Sequence, residues 1–207
     1  MLKGLSREEI SGQGTIFFIA GFNTTHATLH HAIYYLTQYH NWQERLFEEL
    51  DGARDNLDHD ALKRLPILNA IINETLRLKP PFIFVTREAN EETELKDLGI
   101  KIPKNTLISI QAYMIHRNPK FFPDPLEFKP TRFLEDRSLE WCKAYMPFGG
   151  GPRFCVGMRF ALDELRIGLA HFVLNYKVDA DPGYQLEYSP GSFIMSPKAL
   201  MVRISER

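Results

Sequence analysis

Apolar and polar residues change their spacing abruptly along this chain, and each change marks an element. Ser6-Arg7-Glu8-Glu9 has the form of a capping box, in which a serine and a glutamate three residues on satisfy each other's backbone N–H groups. It predicts a long helix running to about Tyr39. The second half of that helix is striped, with Leu29, Ile33 and Leu36 on one face beside Ala32 and Tyr35. The first half differs: Ile16 to Phe22 is apolar all the way round and calls for cover on every side. Asn41 and Glu44 predict a second helix ending near Gly52. Pro66 suits the first position of a third, whose buried stripe is Leu68, Ile71, Ile72, Thr75 and Leu76. Lys79-Pro80-Pro81 stops it.

From Phe82 to Ile110 the pattern is short and strand-like, clearest at Phe82 to Val85. Between Asn118 and Pro130, four prolines (Pro119, Pro123, Pro125 and Pro130) forbid regular pairing. A last helix is expected over roughly Met158 to Asn175, then short strands around Gln185 to Tyr188 and Leu200 to Ile204. This order predicts an α+β fold, mostly α.

Composition narrows the function more than the fold. The 207 residues, 44% hydrophobic and 25% charged, are ordinary for a globular protein with a buried core. A formal net charge of -1 provides no basic field, so nothing points to nucleic acid. No apolar run is long enough to span a bilayer, and Met1 is not followed by a signal-peptide pattern. Two cysteines, Cys142 and Cys155, make neither a disulfide framework nor a four-ligand zinc site.

Cys155 stands in Phe148-Gly149-Gly150-Gly151-Pro152-Arg153-Phe154-Cys155-Val156-Gly157. The glycines allow a tight turn and close approach to a flat ligand. A cysteine just before a helix start meets unpaired N–H groups and a dipole that favour its thiolate and tune it as a ligand. Arg153 offers a planar fork suited to a carboxylate. A lone cysteine is more often a buried small hydrophobe, and a glycine cluster more often a plain loop. A phosphate loop is excluded by the absence of Lys-Ser or Lys-Thr after the glycines.

The joint pattern of Phe148, Gly151, Arg153, Cys155 and Gly157 resembles the haem-ligand signature of the cytochromes P-450. Further segments match that family in order. Glu74-Thr75-Leu76-Arg77 has the family's Glu-x-x-Arg spacing, and Arg132 in Phe128-Lys129-Pro130-Thr131-Arg132-Phe133 supplies the arginine that completes its triad. Taken alone, Glu74 and Arg77 read as a surface i, i+3 pair worth a few tenths of a kcal/mol. The resemblance implies instead a structural triad fixing the coil that presents the cysteine loop. Ala20-Gly21-Phe22-Asn23-Thr24-Thr25 puts Ala20, Gly21 and Thr24 on one helix face, leaving room for a ligand. A threonine's hydroxyl there can bond the Ala20 carbonyl. By resemblance Thr24 sits over the iron and helps deliver protons to oxygen, while Asn23 replaces the family's usual acid. Arg87 matches an arginine that pairs a haem propionate. Phe82, Ile83, Phe84 and Phe193 match the lining of a lipophilic pocket and are equally suited to a core. His26 and His30 share a face at i, i+4 but have no third ligand in view.

The resemblance spans essentially the whole chain and is greatest to animal microsomal members of the steroid- and drug-oxidising clan. It implies haem b (iron protoporphyrin IX) ligated by Cys155, and insertion of one oxygen atom from O2 into a lipophilic substrate. It also implies electrons from NADPH through a flavoprotein reductase, at the cytoplasmic face of the endoplasmic reticulum membrane. On this reading residues 1–207 are the carboxy-terminal part of a larger domain, with the membrane-anchoring segment and amino-terminal half outside it. Two alternatives stay open: a non-catalytic haem-binding or interaction fragment, and a haem-thiolate isomerase or peroxygenase.

Overall fold

The computed structural model describes residues 4–207; Met1, with the absent signal-peptide pattern expected there, lies outside the described residues. Helix α1 spans Arg7–Gln38, and Ser6 caps it as expected, accepting from Glu9 N–H at 3.2 Å while its own N–H donates to Glu9 Oε2 at 2.7 Å. Helices α2 (His40–Gly52), α3 (His59–Arg64) and α4 (Pro66–Leu78) follow. Strands β1 (Val85–Glu88), β2 (Thr93–Leu95), β3 (Ile100–Ile102) and β4 (Leu107–Ile110) form two antiparallel pairs, β1 with β4 and β2 with β3. Short helices α5 (Ala112–Ile115) and α6 (Thr131–Glu135) flank the proline-rich coil. Helix α7 (Met158–Asn175) runs into β5 (Tyr176–Asp179), which pairs antiparallel with β6 (Arg203–Glu206).

The core lies where the second half of α1 meets α2, α4 and α7. Leu36, Leu46, Leu68, Ile71, Leu76, Leu165 and Leu169 are buried in it together. The α4 stripe expected from the sequence is buried at every position, Leu68, Ile71, Ile72, Thr75 and Leu76. Tyr35 of α1 stacks on Phe128 of the coil at 4.3 Å between ring centres. Gln43 closes the far end of this core. Its buried amide donates to Leu36 O at 3.1 Å and Val178 O at 2.8 Å, and accepts from Val178 N–H at 2.9 Å. With every amide bond made, a buried glutamine ties the α1–α2 turn to β5 at no unsatisfied cost.

Three expectations need correction, and one helix is added. The run Phe82 to Phe84 is not strand; pairing begins only at Val85, opposite Ile110 at the end of β4, and the run's one backbone tie among the described residues is Tyr113 N–H donating to Ile83 O at 2.9 Å. Helix α3 was not foreseen, although Asp58 caps it by accepting from Ala61 N–H at 2.7 Å. Gln185 to Tyr188 contributes only an isolated bridge from Tyr188 to Pro197; the strand that pairs β6 is β5, directly after α7. The all-apolar stretch of α1 is not covered on every side. Phe18 is 77% exposed and Phe22 70%, while Ala27, Ala32 and Leu36 further along the same helix are fully buried.

Candidate functional site

A cavity of about 630 Å3 opens between the first half of α1 and the cysteine loop. That is within the range of about 300–1,000 Å3 usual for cofactor and small-molecule sites. One wall is α1, with Gln13, Ile16, Phe17, Ala20, Gly21 and Thr24; the other is Phe148, Gly149, Arg153, Cys155, Val156, Gly157 and Phe160. Phe82, Phe84 and Arg87 close one end.

The loop takes this course because Gly149 and Gly151 sit at φ +75° and +72°, where a side chain is strained. Cys155 N–H donates to Phe148 O at 2.9 Å, folding the loop back on itself, and Cys155 O accepts from Met158 N–H at 3.4 Å as α7 begins. The thiol is thereby exposed to the cavity. Val156 beside it is 99% exposed, a bare apolar residue in the wall. On the opposite wall a Cβ added at Gly21 would meet nothing within 4 Å. Arg87 fixes β1 to the loop, donating to Gly150 O at 2.8 Å and Thr86 O at 2.7 Å. Thr24 Oγ1 donates to Ala20 O at 2.8 Å, the back-bond expected of it.

Not every sequence candidate arrives here. Asn23 does not line the cavity; its amide donates to Ile19 O at 3.3 Å. Ile83 and Phe193 do not line it either, and Phe193 is 81% exposed. His26 and His30 lie with ring centres 4.0 Å apart and their planes tilted by 52°, and among the described residues no third metal-ligand type joins them. Gln13 and Phe160 line the cavity and were not foreseen, because a lone glutamine and a helical phenylalanine carry no short-range signal.

Behind the loop, Glu74 and Arg77 are fully buried and Arg132 is 7% exposed. Glu74 Oε1 accepts from Arg77 Nη2 at 2.8 Å, Arg132 Nε at 3.0 Å and Lys129 N–H at 2.8 Å, while Oε2 accepts from Arg77 Nε at 2.7 Å. The remaining guanidinium donors go to carbonyls of the proline-rich coil and of His116 before it. Arg77 Nη1 donates to Pro125 O and His116 O at 2.8 Å each, and Arg132 Nη1 to Pro123 O at 2.8 Å. A coil that prolines bar from sheet pairing thus finds its carbonyl donors in two arginines held by one carboxylate. Next to them Tyr145 donates to Asn73 O at 3.1 Å, and burial holds its phenol well above the ordinary pKa.

The family model described as Cytochrome P450 matches residues 2–204. The chain belongs to the cytochrome P450 family. It is 34% identical to cytochrome P450 3A13 of Mus musculus over 99% of its own length and 42% of that protein's. Against cytochrome P450 3A5 of Homo sapiens the identity is 32%, over 99% and 41% of the two chains. Against cytochrome P450 3A2 of Rattus norvegicus it is 38%, over 84% and 35%. The chain thus spans about two fifths of the length of these curated relatives. Its helix-dominated α+β architecture is that of a P450 portion, and membership of the P450 family implies haem. An apolar slot with a thiol on one wall, a bare glycine on the other and Arg87 and Arg153 at its border fits a flat apolar cofactor with acidic edges. Among the described residues of this P450 chain no helix is long and apolar enough to cross a membrane.

Proposed function

We propose that this chain is the haem-binding part of a monooxygenase that inserts one oxygen atom from O2 into a lipophilic organic substrate. The observation that carries the reading is the Cys155 thiol, exposed on the wall of an apolar cavity directly across from Ala20, Gly21 and Thr24. Haem bound with a thiolate ligand supplies dioxygen activation, driven by electron density from sulfur. Cys155 would hold the iron. Arg153 and Arg87, cations at the border of an apolar site, would pair the propionates and set the orientation of the ring. Phe148 and Val156 would exclude water from the thiolate side. On the other side the Thr24 hydroxyl, anchored on Ala20 O, keeps acceptor capacity and would hold in place a water that carries the proton.

By the family pattern Asn23 replaces the acid that serves that relay, although its side chain lies outside the cavity lining and donates to Ile19 O. An amide can hold a water but cannot lose and regain a proton. In a complex supplied with NADPH and a flavoprotein reductase, Asn23→Asp lowers the peroxide released per NADPH; an unchanged yield refutes this. The electron source, the lipophilic substrate and an endoplasmic reticulum location are part of the same proposal. They are supported by likeness to the curated relatives and by the apolar lining at Phe17, Phe82 and Phe84.

A second reading, a non-catalytic haem-binding or interaction fragment, is favoured by the exposure of Phe18, Ile19 and Phe22. The reduced, haem-loaded chain with carbon monoxide separates ligand from no ligand. A strongly red-shifted Soret band, lost in Cys155→Ala, supports thiolate ligation. A band absent, or unchanged in the variant, rejects it. Turnover with reductase then separates the monooxygenase from the fragment.

A further inference from the structure

His116 follows α5 and is fully buried, with its ring between Phe122 and Tyr145 at 6.1 and 5.6 Å. Both ring nitrogens are engaged by backbone. Nδ1 lies 3.0 Å from Arg77 O, a carbonyl that can only accept, so Nδ1 carries a proton. Nε2 accepts from Met146 N–H at 2.9 Å, so Nε2 carries none. The two partners fix one neutral tautomer. The histidine's own carbonyl accepts from Arg77 Nη1 at 2.8 Å, so residue and arginine are bonded reciprocally.

The bonds continue toward the cysteine. Met146 O accepts from Gly149 N–H at 3.0 Å, and Phe148 O accepts from Cys155 N–H at 2.9 Å. Between Met146 and the start of α7 the loop is also held by Phe148, which packs against the core, and by Phe154 N–H donating to Gly151 O at 3.1 Å. Arg87, half-buried on β1, grips Gly150 O further along the loop. The imidazole joins the buried Glu74 cluster to Met146, whose carbonyl turns the loop, and the neighbouring Tyr145 hydroxyl adds a second tie one residue earlier by donating to Asn73 O at 3.1 Å.

We propose that His116 is the positioning residue that locks the cysteine loop onto the Glu74–Arg77–Arg132 cluster. That what it positions is an iron ligand rests on the function proposed above; the tie itself does not. A protonated ring or one of the other tautomer would turn N–H against N–H at Met146. The loop's register therefore depends on a neutral His116.

Two substitutions divide the imidazole's work. In His116→Asn the amide reaches the Nδ1 position and keeps a donor for Arg77 O, but it is too short to accept from Met146. In His116→Gln the side-chain oxygen reaches the Nε2 position and keeps that acceptor. Amide hydrogen exchange on the ligand-free chain reads the result directly. With His116→Asn, the Met146, Gly149 and Cys155 amides exchange about tenfold faster, while Leu169 in the core keeps its rate. With His116→Gln, the loop amides stay within about threefold of the parent. Unchanged loop exchange in the asparagine variant overturns the proposal, as does equal acceleration in both variants. Acceleration that Leu169 shares makes His116 a core residue only, and overturns it too. In the haem-loaded chain, the fraction with a red-shifted carbon monoxide Soret band falls in His116→Asn and returns in His116→Gln. If Cys155→Ala leaves that band unchanged, the iron-ligand reading fails while the exchange result on the tie still stands.

Discussion

Helix α4 and the first half of α1 are both rich in isoleucine, phenylalanine or leucine, and they have opposite surroundings. In α4, nine of thirteen residues are buried, including a glutamate and an arginine. In α1 before Gly21 every described residue is exposed, Phe17 and Phe18 included. Apolar composition alone therefore does not say which helix this chain buries. What distinguishes α4 is that it carries polar groups whose partners all lie within the chain. The carboxylate of Glu74 takes four donors from Arg77, Arg132 and Lys129, and the arginines pass the constraint on to a coil that no sheet could hold. The α1 arm has only its capping box and the cavity wall.

The contrast predicts unequal responses to equal chemistry. Glu74→Ala strands two buried guanidinium groups and should destabilise the chain by about 3–5 kcal/mol, read as a shift in the urea unfolding midpoint. A change below 1 kcal/mol would mean that water enters the cluster freely. Ile71→Ala, in the fully buried stripe, should cost about 2–5 kcal/mol, whereas Ile19→Ala in the exposed arm stays within about 0.5 kcal/mol. Equal losses would show that the arm is covered in solution, by another copy or by itself, and dilution would tell which.

A pH titration sharpens the same point from the core side. Burial lowers His31 to about 3 and His116 to about 4, against an ordinary value near 6.5. Lys79 and His30 add repulsion at His31, and Arg77 and Arg117 at His116. The unfolded chain takes up these protons first, so stability falls as pH drops below about 6.5 and stops falling once the folded residues are protonated. His31→Phe should flatten part of that slope; an unaltered slope would remove His31 from the account. The smallest effect belongs to the arm: Ser6→Ala removes a cap worth about 1 kcal/mol locally. With no tertiary packing there, it should show as faster amide exchange at Glu9 and Ile10 and no change in the global midpoint.

Much of the architecture was readable in advance where a single local signal sufficed. The capping box placed the start of α1, Pro66 the start of α4, and periodicity the whole of α7. The cysteine loop was readable because its glycines, arginine and cysteine are neighbours in the chain. Features made by partners far apart were not. Phe82 to Phe84 has strand composition but no strand beside it, and β5 lacks alternation because it follows α7 without a break. Glu74 and Arg77 alone read as a wet surface pair; their cluster with Arg132, more than fifty residues on, was legible only through the family resemblance. His116 had no short-range signal, since both its partners are backbone atoms, of Arg77 and of Met146.

The amide of Gln43 reaches Val178 across 135 residues of chain. During synthesis at about 5–20 residues per second, that glutamine emerges roughly 7–30 s before its partner is made. Throughout that interval the Gln43 amide has Leu36 O beside it but neither of its two bonds to Val178. The folding of this chain is thus timed from its far end: the core can close only after α7 and β5 have left the ribosome.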